Sequence, residues 1–382
     1  MRRLDRPYRP RGWWRSRPWW PFVFLGMCVL AAGLALFLVL RFVVPWIGGL
    51  FQSDIGENVL PLQSTSPVVD LSDKSREVLL TGNNRSIGDP AILGDEIFFP
   101  GGMDGTGKTL VAVNVHNIMT KETTRVEGIQ AKNDGILSLD VNAQYIVYFD
   151  SKDAGGGNIY AYNRETQAVK ELMRVPYGWP QVRVCGGFAV WMERTGNVTE
   201  KLYLMDIETL ELTTLAVFSD SPFGLSAPGV GGGEVAWAEP DPDRTEDSAL
   251  GVLKMLPLDG SRTAPETYFP EMFVYSPVTN GRARAWMDSS LADGAGLYLS
   301  VEANRPKKIA EGVQGFGLGE NFLAFTQGGV VWAYFFRTDT LCRVSPVGEY
   351  CFLGDVGEHG VAWFNITDEV RERDILKYAV LD

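Results

Sequence analysis

Residues 186–216 read GGFAVWMERTGNVTEKLYLMDIETLELTTLA, and residues 142–173 read NAQYIVYFDSKDAGGGNIYAYNRETQAVKELM. Both stretches pass through one succession: a turn, an apolar run ending on an aromatic, a polar loop, an alternating run, an Asp- or Asn-led turn and a last run. Short alternating or apolar runs punctuated by Gly, Asn and Asp predict strands and not helices. The turns Asp206-Ile-Glu-Thr209 and Asn163-Arg-Glu-Thr166 place a side-chain acceptor where it can bond backbone amides further on, which joins a third strand to a fourth.

Working outward, the same order returns in segments opening GDEIFF at Gly94, GGEVAW at Gly232, NGRARAW at Asn280, GENFLAF at Gly319 and EHGVAWF at Glu358, which makes seven copies. The aromatic that closes the second strand falls at Phe99, Tyr148, Trp191, Trp237, Trp286, Phe325 and Trp363, in steps of 49, 43, 46, 49, 39 and 38 residues. Those steps straddle the length of a four-stranded propeller blade. No apolar i, i+3, i+4, i+7 stretch follows Ser75, so the expected fold class is all-β, a seven-bladed β-propeller. Six or eight blades are the alternatives, because blade boundaries are soft. The last copy ends at Asp382 after three strands, and Arg76-Glu-Val-Leu-Leu80 is β-compatible. Pairing the two would close the ring and remove an open sheet edge.

At units such as 186–209 and 280–302 the sequence resembles the TolB-like β-propeller repeats. Leu202-Tyr-Leu-Met-Asp206 matches that family's I-Y-x-M-D piece, whereas Gly186-Gly187 and Asn280-Gly281 stand where the family has an S-P-D-G-like turn. The resemblance covers residues from Ser75 to the end. It implies an exported propeller that binds other proteins or envelope components, and it carries over no catalytic residue.

Ahead of the repeats, Phe22–Leu40 is a run of nineteen residues without a charge, which at about 1.5 Å each nearly crosses a hydrocarbon core of roughly 30 Å. Trp13, Trp14, Trp19, Trp20 and Trp46 flank it like interfacial anchors, and the seven Arg of the first twenty residues favour a cytoplasmic N-terminus. The expected organisation is a cytoplasmic Arg/Trp-rich arm at 1–20, a signal-anchor transmembrane helix within 21–47, a linker at 48–75 and a propeller at 76–382. The expected localisation is the plasma membrane, single-pass, with the propeller outside the cytoplasm.

Of 35 Lys and Arg and 47 Asp and Glu, the first twenty residues hold seven Arg and one Asp, which leaves 28 bases against 46 acids in the remainder. That balance argues against nucleic acid as a partner. Cys185, Cys342 and Cys351 are too few for a disulfide framework, although a Cys342–Cys351 bridge is conceivable. Gly102–Thr109, GMDGTGKT, fits the phosphate-binding pattern G-x-x-x-x-G-K-[ST], but it lies between DEIFF and the alternating TLVAVNVH. That pattern requires a following helix, so no nucleotide is expected here.

The loops expected between second and third strands hold fifteen acids against six bases. Asp150, Asp153, Glu239, Asp241, Asp243, Glu246, Asp247, Asp288 and Asp293 form the candidate ligand face. It would suit a basic peptide, a cationic polymer or Ca²⁺, and the alternative reading is a solvated rim. No other cofactor is expected, and no catalytic residue is assigned. His116 and His359 are read as surface or turn residues, and Trp179 as a packing residue that could instead face the channel. The function these readings support is a protein- or envelope-component-binding scaffold, with a propeller enzyme acting on envelope polysaccharide through the acidic loops as the alternative.

Overall fold

The computed structural model describes residues 68–78, 87–102, 110–195, 199–219, 226–240, 251–269, 272, 274–288, 296–366 and 375–381. The expected arm and transmembrane helix lie outside them. Among the described residues no helix is long and apolar enough to cross a membrane.

Seven sheets follow one another along the chain. Blade 1 is Ala91–Leu93, Glu96–Gly101, Ala112–Asn117 and Thr123–Gln130. Blade 2 is Gly135–Val141, Tyr145–Ser151, Gly157–Asn163 and Val169–Val175; blade 3 is Val182–Cys185, Phe188–Thr195, Thr199–Asp206 and Leu212–Ser219. Blade 4 is Gly229–Gly231, Glu234–Pro240, Gly251–Pro257 and Glu266–Tyr268; blade 5 is Val274–Thr279, Ala283–Asp288, Gly296–Val301 and Lys307–Glu311. Blade 6 is Val313–Leu318, Phe322–Gln327, Val330–Phe335 and Thr340–Arg343; blade 7 has Cys351–Val356, Gly360–Asn365 and Ile375–Val380. Within each blade these consecutive strands pair antiparallel.

The repeat aromatic decides how the blades pack. All seven are at most 1 % exposed, in the second strand, where a blade is covered on both faces. Each packs against the blade before it: Tyr148 with Phe98 and Val113, Trp191 with Phe149 and Ile159, Trp237 with Val190 and Leu202. Trp286 packs with Leu253 and Met255, Phe325 with Ala285 and Leu297, and Trp363 with Phe322 and Ala324. Phe99 has no earlier blade in sequence and packs with Ala362, Leu376 and Tyr378 of blade 7, which brings the two ends of the array together. Burying such a ring contributes roughly 1.5–3 kcal/mol per seam.

The closing strand is where the sequence places it. Arg76–Glu77 pairs antiparallel with the last strand, Arg76 opposite Tyr378 and Glu77 opposite Lys377, and the Val78 N–H donates to the Leu376 carbonyl at 2.9 Å. One further strand has no counterpart in the sequence reading: Val68–Asp70, within the segment read as linker, lies parallel to Thr340–Arg343 and gives blade 6 a fifth strand. The flanks of GMDGTGKT, Glu96–Gly101 and Ala112–Asn117, are antiparallel strands, so a strand and not a helix leaves that loop; residues 103–109 lie outside the described residues.

Side chains also tie neighbouring blades near the axis. Ser138 Oγ and Asp140 Oδ2 accept the Val182 and Val184 amides at 3.0 and 2.8 Å, Ser226 Oγ accepts the Ser276 amide at 2.7 Å, and Asp355 Oδ2 accepts the Ile92 amide at 2.7 Å. Between blades 4 and 5 the first strands approach so closely that a Cβ on Gly231 would overlap the Thr279 carbonyl oxygen. Cys185, Cys342 and Cys351 are free thiols, so Cys342 and Cys351 do not pair.

Gly231→Ala should lower stability by about 1–3 kcal/mol in denaturant unfolding, whereas Gly187→Ala, with nothing within 4 Å of its added carbon, should be near neutral. Phe99→Ala should cost about 3–5 kcal/mol and speed amide exchange at Val78, since both belong to the closing seam.

Candidate functional site

The first strands of the blades surround a central cavity of about 780 Å³. Among the described residues its charged lining is Asp89, Asp140, Asp288 and Asp355 against a single base, Arg183. Asp140 and Asp355 stand one residue before the end of the first strands of blades 2 and 7, where alternation turns them to the axis. Both carboxylates are held by backbone amides, Asp140 by Val184 at 2.8 Å and Val141 at 3.0 Å and Asp355 by Ile92 at 2.7 Å.

Burial pushes the Asp140 carboxyl up to about 6, with the Arg183 charge pulling down, Asp355 adding to the rise, and the Val184 and Val141 amides opposing it. Asp355 is also raised by burial, against Arg183 and the Ile92 amide, and Asp89, open to the cavity but enclosed by its walls, is raised by burial against Arg183. One guanidinium thus serves three carboxylates.

At the rim, the connection from blade 2 to blade 3, Tyr177-Gly-Trp-Pro180, presents Tyr177 and Trp179 at 64 % and 60 % exposure. Trp179 lines the cavity and does not pack into a core, so the channel-facing alternative of the sequence reading holds. The loop is pinned: Gly178 takes φ +76°, open to glycine at little cost, and its carbonyl accepts the Gly156 amide at 3.1 Å.

Four residues of the expected acidic face are described, and they stand in different surroundings. Asp241, Asp243, Glu246, Asp247 and Asp293 lie outside the described residues. Asp150 is fully buried, with Oδ2 accepting the Lys132 and Asn133 amides at 2.7 and 3.0 Å, so it braces the connection entering blade 2 and is not a surface ligand. Asp153 is exposed. Glu239 accepts the Trp237 indole N–H at 3.0 Å and faces Lys254 at 3.4 Å. Asp288, 8 % exposed, is the one of the four described that lines the cavity. Asp150, Glu239 and Asp288 share one register, two residues after the repeat aromatic, where Glu193, Gln327 and Asn365 also fall. Gln327 there donates to the Glu311 carbonyl at 2.6 Å, again bracing an incoming connection. A polar residue at this spacing is a structural signal.

His116 corrects its expectation. It is 2 % exposed, with Nδ1 at 2.9 Å from Thr123 Oγ1 and its ring 5.4 Å from that of Tyr378, and burial lowers its pKa. His359 stands in the expected turn, exposed and 3.9 Å from Glu320. The residues missed were Asp89, Asp140, Arg183 and Asp355. The signal available was Leu139-Asp-Val141 beside Leu353-Gly-Asp-Val356, an acid at the end of an apolar first strand in two copies.

No family profile matches the sequence, and no curated protein matches it. Among solved structures, the propeller domain of the Trilobed protease from Pyrococcus furiosus superposes with TM-score 0.58 at 9 % identity, over 78 % of this chain and 94 % of that one. An oligogalacturonate lyase in complex with manganese gives TM-score 0.54 at 12 % identity, over 85 % and 96 %. TolB from Acinetobacter baumannii gives 0.39 at 10 % identity, over 70 % and 59 %, too loose to add to the argument. The chain spans about half the length of the acylaminoacyl peptidases it also matches, 49 % and 50 %. At these identities the likeness shows the propeller fold alone.

Because Asp140 binds its proton more tightly folded than unfolded, folding takes up protons between about pH 4 and 6, and its stability cost is complete above the folded value. The melting temperature should therefore fall as pH rises through that window. In Asp140→Asn the fall from pH 5 to pH 8 should be smaller by roughly 2–4 °C, whatever the variant's absolute stability.

Proposed function

We propose that the chain is a single-pass, membrane-anchored propeller outside the cytoplasm that binds a protein or envelope component without turning it over. The observation that carries this reading is the central cavity with a pinned, exposed Trp179 at its rim. A soluble ring gains nothing from holding a large aromatic in water, whereas a ligand face does. The apolar run Phe22–Leu40 supports the anchor.

A second reading is an enzyme on envelope polysaccharide. It is favoured by one observation, a cavity carboxyl raised to about 6 at Asp140, within the range useful to a general acid or base. The match to a lyase of oligogalacturonate concerns the fold and gives this reading no further weight.

Full-length protein in detergent, used as bait on membranes of its source, should retain partners that the Tyr177→Ala, Trp179→Ala double variant loses by about tenfold or more, as hot-spot aromatics do. Equal retention of the same proteins by both would end the binding reading. Release of new reducing ends from envelope polysaccharide by wild type, lost in Asp140→Asn, would replace it with the enzymatic one.

A further inference from the structure

Resting on the binding reading, we infer that the cavity accepts a cationic side chain, a lysine or arginine presented by a polypeptide partner. Asp89, Asp140 and Asp355 supply the counter-charge, and Trp179 packs on the segment that carries the cation.

The first argument is charge. Among the described residues, Asp89, Asp140 and Asp355 line the cavity with Arg183 as the one guanidinium, and Arg183 makes no ion pair with any of the three, acting on them only through space. Asp140 and Asp355 cannot swing toward it, because backbone amides of adjoining strands hold them at 2.8 and 2.7 Å. The negative potential is therefore fixed in place and under-compensated, a preorganised site for a cation.

The second argument is independent of charge. Trp179 and Tyr177 are 60 % and 64 % exposed on a loop whose conformation is set by Gly178 and Pro180, and Leu137, 40 % exposed, stands in the cavity wall. An apolar rim over an acidic interior matches a long side chain with an aliphatic stem and a charged end, and an indole face favours a cation near it.

Size and ligand count separate this occupant from a metal ion. A cavity of about 780 Å³ has the volume of an organic-ligand pocket and far exceeds one ion. Among the described residues no three metal-ligating side chains converge, and Ca²⁺ needs six or more oxygens. Among the described lining residues an anionic ligand would meet Asp89, Asp140 and Asp355 for one arginine.

The test uses full-length protein in detergent with pentalysine as probe, and pentaglutamate and pentaserine as controls, by calorimetry. Wild type should bind pentalysine and neither control. Asp140→Asn with Asp355→Asn should weaken it about tenfold or more, as loss of close charge partners does. Trp179→Ala should weaken it several-fold, and Asp153→Asn, an exposed acid outside the cavity lining, should leave it unchanged. Arg183→Gln should tighten binding, an outcome that a purely structural role does not produce, and it decides the matter if the double Asn variant fails to fold. Failure of wild type to bind pentalysine, binding of pentaserine equally well, or weakening by Arg183→Gln would overturn the inference. Retention of membrane partners through Tyr177 and Trp179 under any of these outcomes would leave the broader binding reading standing.

Discussion

A ring of sheets has two ends, and everything else in this protein depends on their being joined. Seven blades stacked face to face bury both surfaces of each only if the seventh also covers the first. Two devices do this. Phe99 inserts into blade 7 beside Leu376 and Tyr378, and Arg76–Glu77 supplies that blade's outermost strand. Without the junction, blade 1 would expose Phe99 and Ile97, and blade 7 would expose the edge of its last strand. The first strands of the blades so joined line the central cavity.

Much of this was legible in the sequence because the signal repeats. An aromatic at the end of an apolar run means little once, but seven at a blade's spacing define a position covered on both sides, and Trp191, Trp286, Phe325 and Trp363 reach 0 % exposure there. The closing strand was legible for a related reason: the last copy lacked a fourth strand and Arg76–Leu80 could fill it. Val68–Asp70 was not, since three residues in a polar stretch carry no periodicity and their partner is a parallel strand far along the chain.

The site was harder to read because it is assembled by rotation about an axis and not by proximity in the chain. Asp89, Asp140, Arg183 and Asp355 belong to different repeats, and each looks unremarkable in its own. Counting acids by loop favoured the second-to-third connections, where some carboxylates prove to brace the chain, as Asp150 does with the Lys132 and Asn133 amides. The same chemistry, an aspartate accepting a backbone N–H, serves inside the channel at Asp140 and Asp355. Binding potential and structural bracing are two uses of one group, which is why a mutation there should be judged by its pH behaviour as well as by affinity.

The parallel strand Val68–Asp70 gives the architecture a mechanical property. Among the described residues, the chain runs along blade 6, through Val68, Val69 and Asp70 opposite Leu341, Cys342 and Arg343, before it reaches the clasp on blade 7 at Arg76. Tension applied at Val68 is therefore borne by one blade's ladder before any load reaches the neighbouring strand that shuts the circle. Strain relief is built in ahead of the latch.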